Sequence, residues 1–382
     1  FRNGADLYLQ GSGDPVLTNI ELRDLAGMLK DEKVAGGWKT FSFDASALRE
    51  QPEVDGGQPI QAVYNAGFSG LNLDFNRIQV EWSRDGGDGH LKFRARVVAD
   101  GLNVPASWVN FLPAATEPPP GANFLYAGEA GNERWLTAPD LAETLPEEGA
   151  IFLSVRNPAL NTAEVFRRMA ADLGVKLPDP AAGTVPANAE LIGTAESPPL
   201  SEIIKGLLKF SNNITAELIG ATAMQKQTGR VLSQEESGAA LTAWLTARFP
   251  ATEWRGFTLV NHSGLGNRNR ASPRQIAGIL TALSRDPVLS GLMNRIMTDD
   301  PKAEAAAKTG TMDFASGLAG LFTGKSGRRF AFAIFLYDRD RREKLDATFD
   351  RRVLTPTPGA ESWLGRARGL ENALLKDWRD RL

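Results

Sequence analysis

Apolar residues change their spacing near the middle of the chain. Up to about residue 190 they alternate or form short compact runs, at residues 5–10, 39–44, 70–82 and 90–99. Each run is bounded by Gly, Asp or Pro, which is the pattern of β-strands. The sequence Arg84-Asp85-Gly86-Gly87-Asp88-Gly89 supplies a turn between the last two. A helix is expected over residues 20–30, with Ile20, Leu25 and Leu29 on one side and Gly36-Gly37 beyond its end. Proline-rich stretches at residues 116–120 and 177–186 read as linkers or domain edges, because proline removes a backbone donor and stiffens extended chain.

Beyond about residue 190 the period becomes helical. Leu200, Ile203, Ile204, Leu207 and Leu208 follow the i, i+3, i+4, i+7, i+8 spacing of one buried helical face. A second helix is expected over 214–227, stopping at Gly229. Ser233 and Glu236 form a capping box ahead of Leu241, Trp244 and Leu245. Ser272-Pro273 gives a cap and a first-turn proline before Ile276, Ile279, Leu280 and Leu283. Residues 317–323 and 329–337, joined by Gly324-Lys325-Ser326-Gly327, predict a β-hairpin. Trp363, Leu364, Ala367, Leu370, Leu374 and Trp378 then mark a last amphipathic helix.

Length and charge narrow the function. At roughly 100 to 200 residues per domain, 382 residues imply two or three folding units. Lysine plus arginine total 43 against 46 acidic residues, so no sequence-wide positive field exists to grip phosphate backbones, and nucleic acid is not an expected partner. With no cysteine and two histidines, His90 and His262, thiolate chemistry and the usual zinc sites lack their ligands. The longest apolar run, residues 330–337, is far short of the roughly 20 residues that span a bilayer. The last helix mixes acidic and basic residues, which suits packing on a domain better than lipid anchoring, so membrane contact is at most peripheral. The chain opens at Phe1 without an initiator methionine or a secretion signal, and its true N-terminus is expected upstream.

Two short motifs carry candidate chemistry. Lys308-Thr309-Gly310-Thr311 precedes the hairpin in a stretch that reads as a strand. A strand edge offers backbone groups to an extended peptide, while a lysine ammonium and a threonine hydroxyl beside it can hold a carboxylate. The plainer reading is an edge strand blunted by a solvated lysine. Ser211-Asn212-Asn213 lies between the first two helices of the second half. Alone it reads as a helix N-cap. Together, in this order and spacing, the two form the pair found in penicillin-binding proteins and class A β-lactamases.

On these residues the chain resembles the D-alanyl-D-alanine carboxypeptidase/endopeptidase family of low-molecular-mass penicillin-binding proteins, the class C type with a large insertion in its transpeptidase domain. Four stretches carry the resemblance: Ser211-Asn212-Asn213-Ile214 with Glu217; His262-Ser263-Gly264-Leu265 through Asn269 to Ser272-Pro273; residues 307–311; and Leu318-Ala319-Gly320 followed by Gly327-Arg328-Arg329. Gly11-Ser12-Gly13-Asp14-Pro15 and Tyr64-Asn65-Ala66-Gly67 look like signposts of the inserted part. The fold implied is α/β of the α+β kind: a transpeptidase-like domain, an antiparallel sheet flanked by helices, with β-rich inserted domains. Residues 1–190 would be the insertion, in two subdomains (about 1–45 with 121–190, and 46–120), and 191–382 the C-terminal part of the transpeptidase-like domain.

The resemblance also assigns roles. Ser211 would relay a proton, Asn213 would hydrogen-bond the substrate's peptide chain, and Lys308 would act electrostatically in the same network. Thr309 would bind the terminal carboxylate of D-Ala-D-Ala, beside Gly310. The N–H of Thr311 would serve the oxyanion hole. Partners implied are peptidoglycan stem peptides ending in D-Ala, and β-lactams as inhibitors, in the periplasm, with no metal and no cofactor. Three departures stand against the pattern. No serine from Ser12 to Ser362 has a lysine three residues on, so the S-x-x-K nucleophile motif is absent, and it is expected upstream of Phe1. Gly317 stands where the family has asparagine, and His262 where it has glycine. A lone loop histidine is more often solvated or structural than catalytic. The alternatives are a non-catalytic peptidoglycan-binding or scaffolding homologue and a β-lactamase-like hydrolase, the latter lacking such an insertion.

Overall fold

The computed structural model describes all residues except 33, 85–90, 100, 129–132, 286–298, 301–304 and 355. Strands β1 (Arg2–Asn3) and β2 (Asp6–Gln10) lead into helix α1 (Asn19–Met28) and β3 (Thr40–Asp44). There follow β4 (Arg77–Arg84), β5 (Leu91–Ala99), β6 (Leu102–Pro105), β7 (Val109–Pro113), β8 (Phe124–Tyr126), β9 (Glu133–Thr137), α2 (Leu141–Thr144), β10 (Glu148–Ser154), α3 (Pro158–Asp172) and β11 (Pro180–Ala182). The remainder comprises α4 (Leu200–Phe210), α5 (Asn213–Thr228), α6 (Gln234–Arg248), α7 (Pro273–Arg285), β12 (Asp299–Asp300), β13 (Ala305–Met312), β14 (Ala315–Thr323), β15 (Arg329–Tyr337), α8 (Arg339–Thr348) and α9 (Ala360–Arg381). The turn expected over residues 85–89, and His90, lie outside the described residues.

Three sheets share one core in the first half. Their strand orders are β1-β2-β3-β11, β10-β4-β5-β6 and β7-β9-β8. Leu7 and Phe41 from the first, Ile78, Val80 and Val97 from the second, and Phe124 and Trp135 from the third join a single apolar cluster with α1 and α3. The pairing of β2 with β3 is parallel, across α1, and β11 adds to β3 in parallel. The second proline-rich stretch is therefore partly a strand. Its Pro180 sits at the start of an edge strand, where no ladder donor is needed.

Two local expectations change. The long strand expected over 70–82 begins only at Arg77, because Asp74, Phe75 and Asn76 turn with positive φ of 47°, 58° and 52°. Asn76 makes that turn possible: it is buried, its Oδ1 accepts from the Leu73 N–H at 3.1 Å, and its Nδ2 donates to the Gly67 carbonyl at 2.8 Å. In α1 Leu22 and Ala26 are buried with Leu29 just beyond its end, and Leu25 packs against the same core, so of the face expected only Ile20 departs, being exposed. The Thr18/Glu21 capping box fixes where this helix starts.

The fourth sheet is antiparallel, in the order β12-β13-β14-β15. Ala305, Leu318, Phe322, Phe332 and Ile334 on one of its faces pack against Leu374, Leu375 and Trp378 of α9. The hairpin of β14 and β15 pairs from Ala315↔Tyr337 to Thr323↔Arg329, as the sequence predicts. Between the halves, Leu48, Val54, Ala66 and Phe68 pack on Ile214 and Leu218 of α5. That small cluster seats α5 against the first half of the chain. Among the described residues no helix is long and apolar enough to cross a membrane.

Candidate active site

Helix α4 ends on Ser211, whose φ of 54° is left-handed. A residue with a Cβ is disfavoured there by roughly 1–2 kcal/mol, and a non-glycine residue so placed is a marker of functional sites. Its own N–H closes α4 by donating to the Leu207 carbonyl at 2.8 Å. The N-cap role falls instead on Asn212, whose side chain accepts from the Thr215 N–H at 2.9 Å. This corner leaves Ser211 exposed and puts Asn213 in the first turn of α5.

Lys308 reaches across from β13. Its Nζ donates to Ser211 Oγ and to the Thr309 carbonyl, the latter at 2.7 Å, although 97 residues separate lysine from serine. Burial lowers the Lys308 pKa from its ordinary value. Thr309, Gly310 and Thr311 continue the strand as exposed residues. Lys308 and Gly310 share one face of β13, and Thr309 and Thr311 the other. The strand is not quite outermost, as expected, because β12 pairs with it at Ala305 and Ala306. From Lys308 to Met312 it pairs with β14 on one side, and no other described strand pairs with it there. Cation, hydroxyls and a backbone stretch with no second described strand beside it thus line one edge, an arrangement able to hold a carboxylate and an extended peptide together.

The first half of the chain supplies the opposite wall. Asn213 Nδ2 donates to the Tyr64 carbonyl at 3.0 Å. Burial, with the nearby Asp313 carboxylate, pushes the Tyr64 hydroxyl up from its ordinary pKa. The sequence marked Tyr64 only as a signpost, since a contact made by its backbone carbonyl leaves no trace in residue type. Gly317 lies beside the half-exposed Phe335: a Cβ there would meet the ring at 3.3 Å.

Behind the site, α5 is tied to the His262 loop. Glu217 is fully buried and accepts from the backbone N–H of Ser263 at 2.8 Å and of His262 at 3.1 Å. Burial raises its pKa against those hydrogen bonds. Asn261 shapes the loop, accepting from the Gly264 N–H at 3.1 Å and Asn269 Nδ2 at 2.8 Å, and donating to the Leu265 carbonyl at 2.7 Å. His262 is largely buried. Its Nε2 lies 2.8 Å from Ser237 Oγ, and burial lowers its pKa to about 4. The ring rests on Gly220, so its place is structural, within the helix packing.

Known proteins show the same outline. A carboxypeptidase of Mycobacterium tuberculosis is 28% identical over 202 residues, 47% of this chain and 41% of the relative. A D-alanyl-D-alanine carboxypeptidase of Actinomadura sp. is 26% identical over an alignment of 386 residues, 86% of this chain and 65% of the relative. The chain thus spans less than two thirds of each relative's length. Penicillin binding protein 4 of Haemophilus influenzae superposes with a TM-score of 0.70 at 18% identity, covering 98% of this chain and 84% of that one, a likeness of fold. The model of the D-Ala-D-Ala carboxypeptidase 3 (S13) family matches residues 2–352, and the chain belongs to that family.

Proposed function

We propose that the protein is a serine-type D-Ala-D-Ala carboxypeptidase or endopeptidase of peptidoglycan stem peptides, working through an acyl-enzyme in the periplasm and binding β-lactams as inhibitors. The observation that carries this reading is the hydrogen bond from Lys308 of the strand edge to Ser211, two residues before Asn213 in the first turn of α5. In it the stem peptide lies along Lys308 to Met312, extended, and Thr309 with Lys308 takes the terminal carboxylate. Ser211 passes a proton toward the leaving amine, a task suited to a hydroxyl already hydrogen-bonded to lysine. Asn213 holds the peptide on the side of Tyr64, and the Thr311 N–H helps bind the developing oxyanion, a donor worth on the order of a hundred- to a thousandfold in rate. The nucleophile and its lysine come from outside residues 1–382, because no serine here has that spacing. The same division makes residues 1–190 the insertion and 191–382 the catalytic scaffold.

The test is covalent labelling by a fluorescent penicillin. Residues 1–382 alone are expected to stay unlabelled, and the chain with its natural upstream segment to be labelled, since acylation needs a nucleophile with an adjacent base. A stable adduct on Ser211, Ser263 or another serine of these 382 residues would refute the assignment of the nucleophile. Failure of the extended chain would favour a peptidoglycan-binding homologue without catalysis, the second reading, which the missing S-x-x-K spacing keeps in play.

A further inference from the structure

The Tyr64 carbonyl that meets Asn213 belongs to a loop, residues 53–65, held by charges from two distant parts of the chain. The Glu53 carboxylate accepts from both Arg156 and Arg351. The Arg156 side chain is only 3% exposed, and its second guanidinium nitrogen donates to the Asn65 carbonyl at 2.8 Å. Asn65 is itself buried and staples the loop internally: Oδ1 accepts from the Asp55 N–H at 2.8 Å, and Nδ2 donates to the Asp55 and Pro59 carbonyls. From the other side, the Ile60 N–H donates to the Arg351 carbonyl at 3.0 Å and Gln61 Nε2 to the Arg352 carbonyl at 2.9 Å. Arg156 is anchored in turn through its backbone N–H, which donates to the buried Glu133 at 2.6 Å. None of these residues belongs to the motifs at the strand edge, yet a continuous run of polar contacts leads from Arg351 through Glu53, Arg156 and Asn65 to the carbonyl one residue away that receives Asn213.

A side-chain amide has a donor end and an acceptor end that exchange places by a half-turn, at little cost when no neighbour tells them apart. A carbonyl oxygen only accepts, so Tyr64 fixes which end of Asn213 faces the loop and which atoms remain for a ligand. We infer that Glu53, Arg156 and Arg351 are positioning residues: through the 53–65 loop they hold the Tyr64 carbonyl where it pins the Asn213 amide for substrate recognition. This rests on the function proposed above for the same site. Release of the clamp lets the carbonyl drift and the amide turn, so that hydrogen bonding to the peptide group on the acyl side of the substrate is lost while the strand edge and Lys308 stay in place.

Two readouts in the full-length protein test this. The first needs no substrate: exchange protection of the Asn213 side-chain amide, followed by nitrogen-15 NMR. Protection should fall at least about tenfold in Glu53→Gln and in Arg351→Ala, whose side chain is only half-buried. The second compares binding of an acylated tripeptide ending in D-Ala-D-Ala with its analogue carrying an ester for the amide before the penultimate residue. An ester lacks the N–H and is a poorer acceptor, so the wild type should prefer the amide by roughly five- to tenfold, the worth of one or two hydrogen bonds. The preference should fall below about twofold in both variants and in Asn213→Ala. Lower thermal stability with protection and preference intact would overturn the inference, leaving the clamp a purely structural contact. A wild type that binds neither peptide would count against the proposed function instead, and the exchange measurement would still decide the clamp.

Discussion

Helices α3 and α4 differ in a way their sequences do not announce. Helix α3 buries nine of its fifteen residues, many of them small or polar, such as Ala159, Asn161, Thr162 and Ala163. Helix α4 has the cleaner apolar stripe, yet none of its eleven residues is buried, and Leu200 and Phe210 at its ends are 56% and 72% exposed. Periodicity reports which side of a helix is apolar, whereas depth depends on how many elements converge on that side. Three sheets converge on the region of α3. The second half is shallower: α6 buries Ser237 and Gly238 rather than Leu241 or Trp244, and α7 buries only Gln275. The first half is the deeply packed block, and the site is built on more lightly packed helices leaning against it.

The largest effect should come from the deep core. Phe166 of α3 is 3% exposed and packs on Phe41 with ring centroids 5.6 Å apart. Phe166→Ala should cost about 3–5 kcal/mol in denaturant unfolding, whereas Leu207→Ala in α4, half-buried, should cost about 1 kcal/mol. Equal costs would dissolve the contrast.

Two buried titrating groups, one in each region, sharpen it. Glu133 in the first half is pushed up to about 7 from 4.5 by burial. Its folded state prefers the proton, so its contribution is full below pH 4.5 and lost as pH rises to 7. His262, lowered to about 4 from 6.5, has the opposite sign: its contribution is full above 6.5 and lost as pH falls to 4. Each swing is on the order of 3 kcal/mol. Relative to wild type, Glu133→Gln should therefore gain stability with rising pH through this window, and His262→Gln should gain it with falling pH, as thermal unfolding at stepped pH would read. Parallel curves would show that one of the two groups is not held as buried as the structure has it.

The smallest effect on stability should be at the strand edge. Lys308→Met removes a cation that burial disfavours, so unfolding free energy should move by less than about 0.5 kcal/mol, the range of surface changes. Binding of a D-Ala-D-Ala peptide, measured by calorimetry, should nevertheless be lost. A large destabilisation would make Lys308 part of the frame rather than of the site.

What could be read from the sequence was local. The β14–β15 hairpin, the Ser233/Glu236 cap and the span of α5 follow from turn chemistry, capping and period within a dozen residues. The meeting of Lys308 with Ser211 followed from the paired motifs, whose spacing identified the family before any contact was visible. The parallel addition of β11 to β3, the turn at residues 74–76 and the Asn213–Tyr64 contact were not legible, because each depends on partners that no periodicity encodes. Backbone carbonyls are the extreme case, since every residue carries one. Glu53 illustrates the same limit: a loop glutamate is ordinary until two arginines, 103 and 298 residues away in sequence, close on it.

The seat of His262 has an evolutionary consequence. A Cβ on Gly220 would lie 2.1 Å from Cγ of the imidazole, so the helix surface and the ring fill one space between them. Neither position can drift alone: bulk added at 220 must be surrendered at 262, and a lineage that returns glycine to 262 opens room for alanine or larger at 220. The two sites, 42 positions apart, should therefore vary as a reciprocal pair, with total volume conserved while each residue changes. A substitution record read one column at a time would miss that exchange, and a graft of this loop onto a relative would fail unless residue 220 travelled with it.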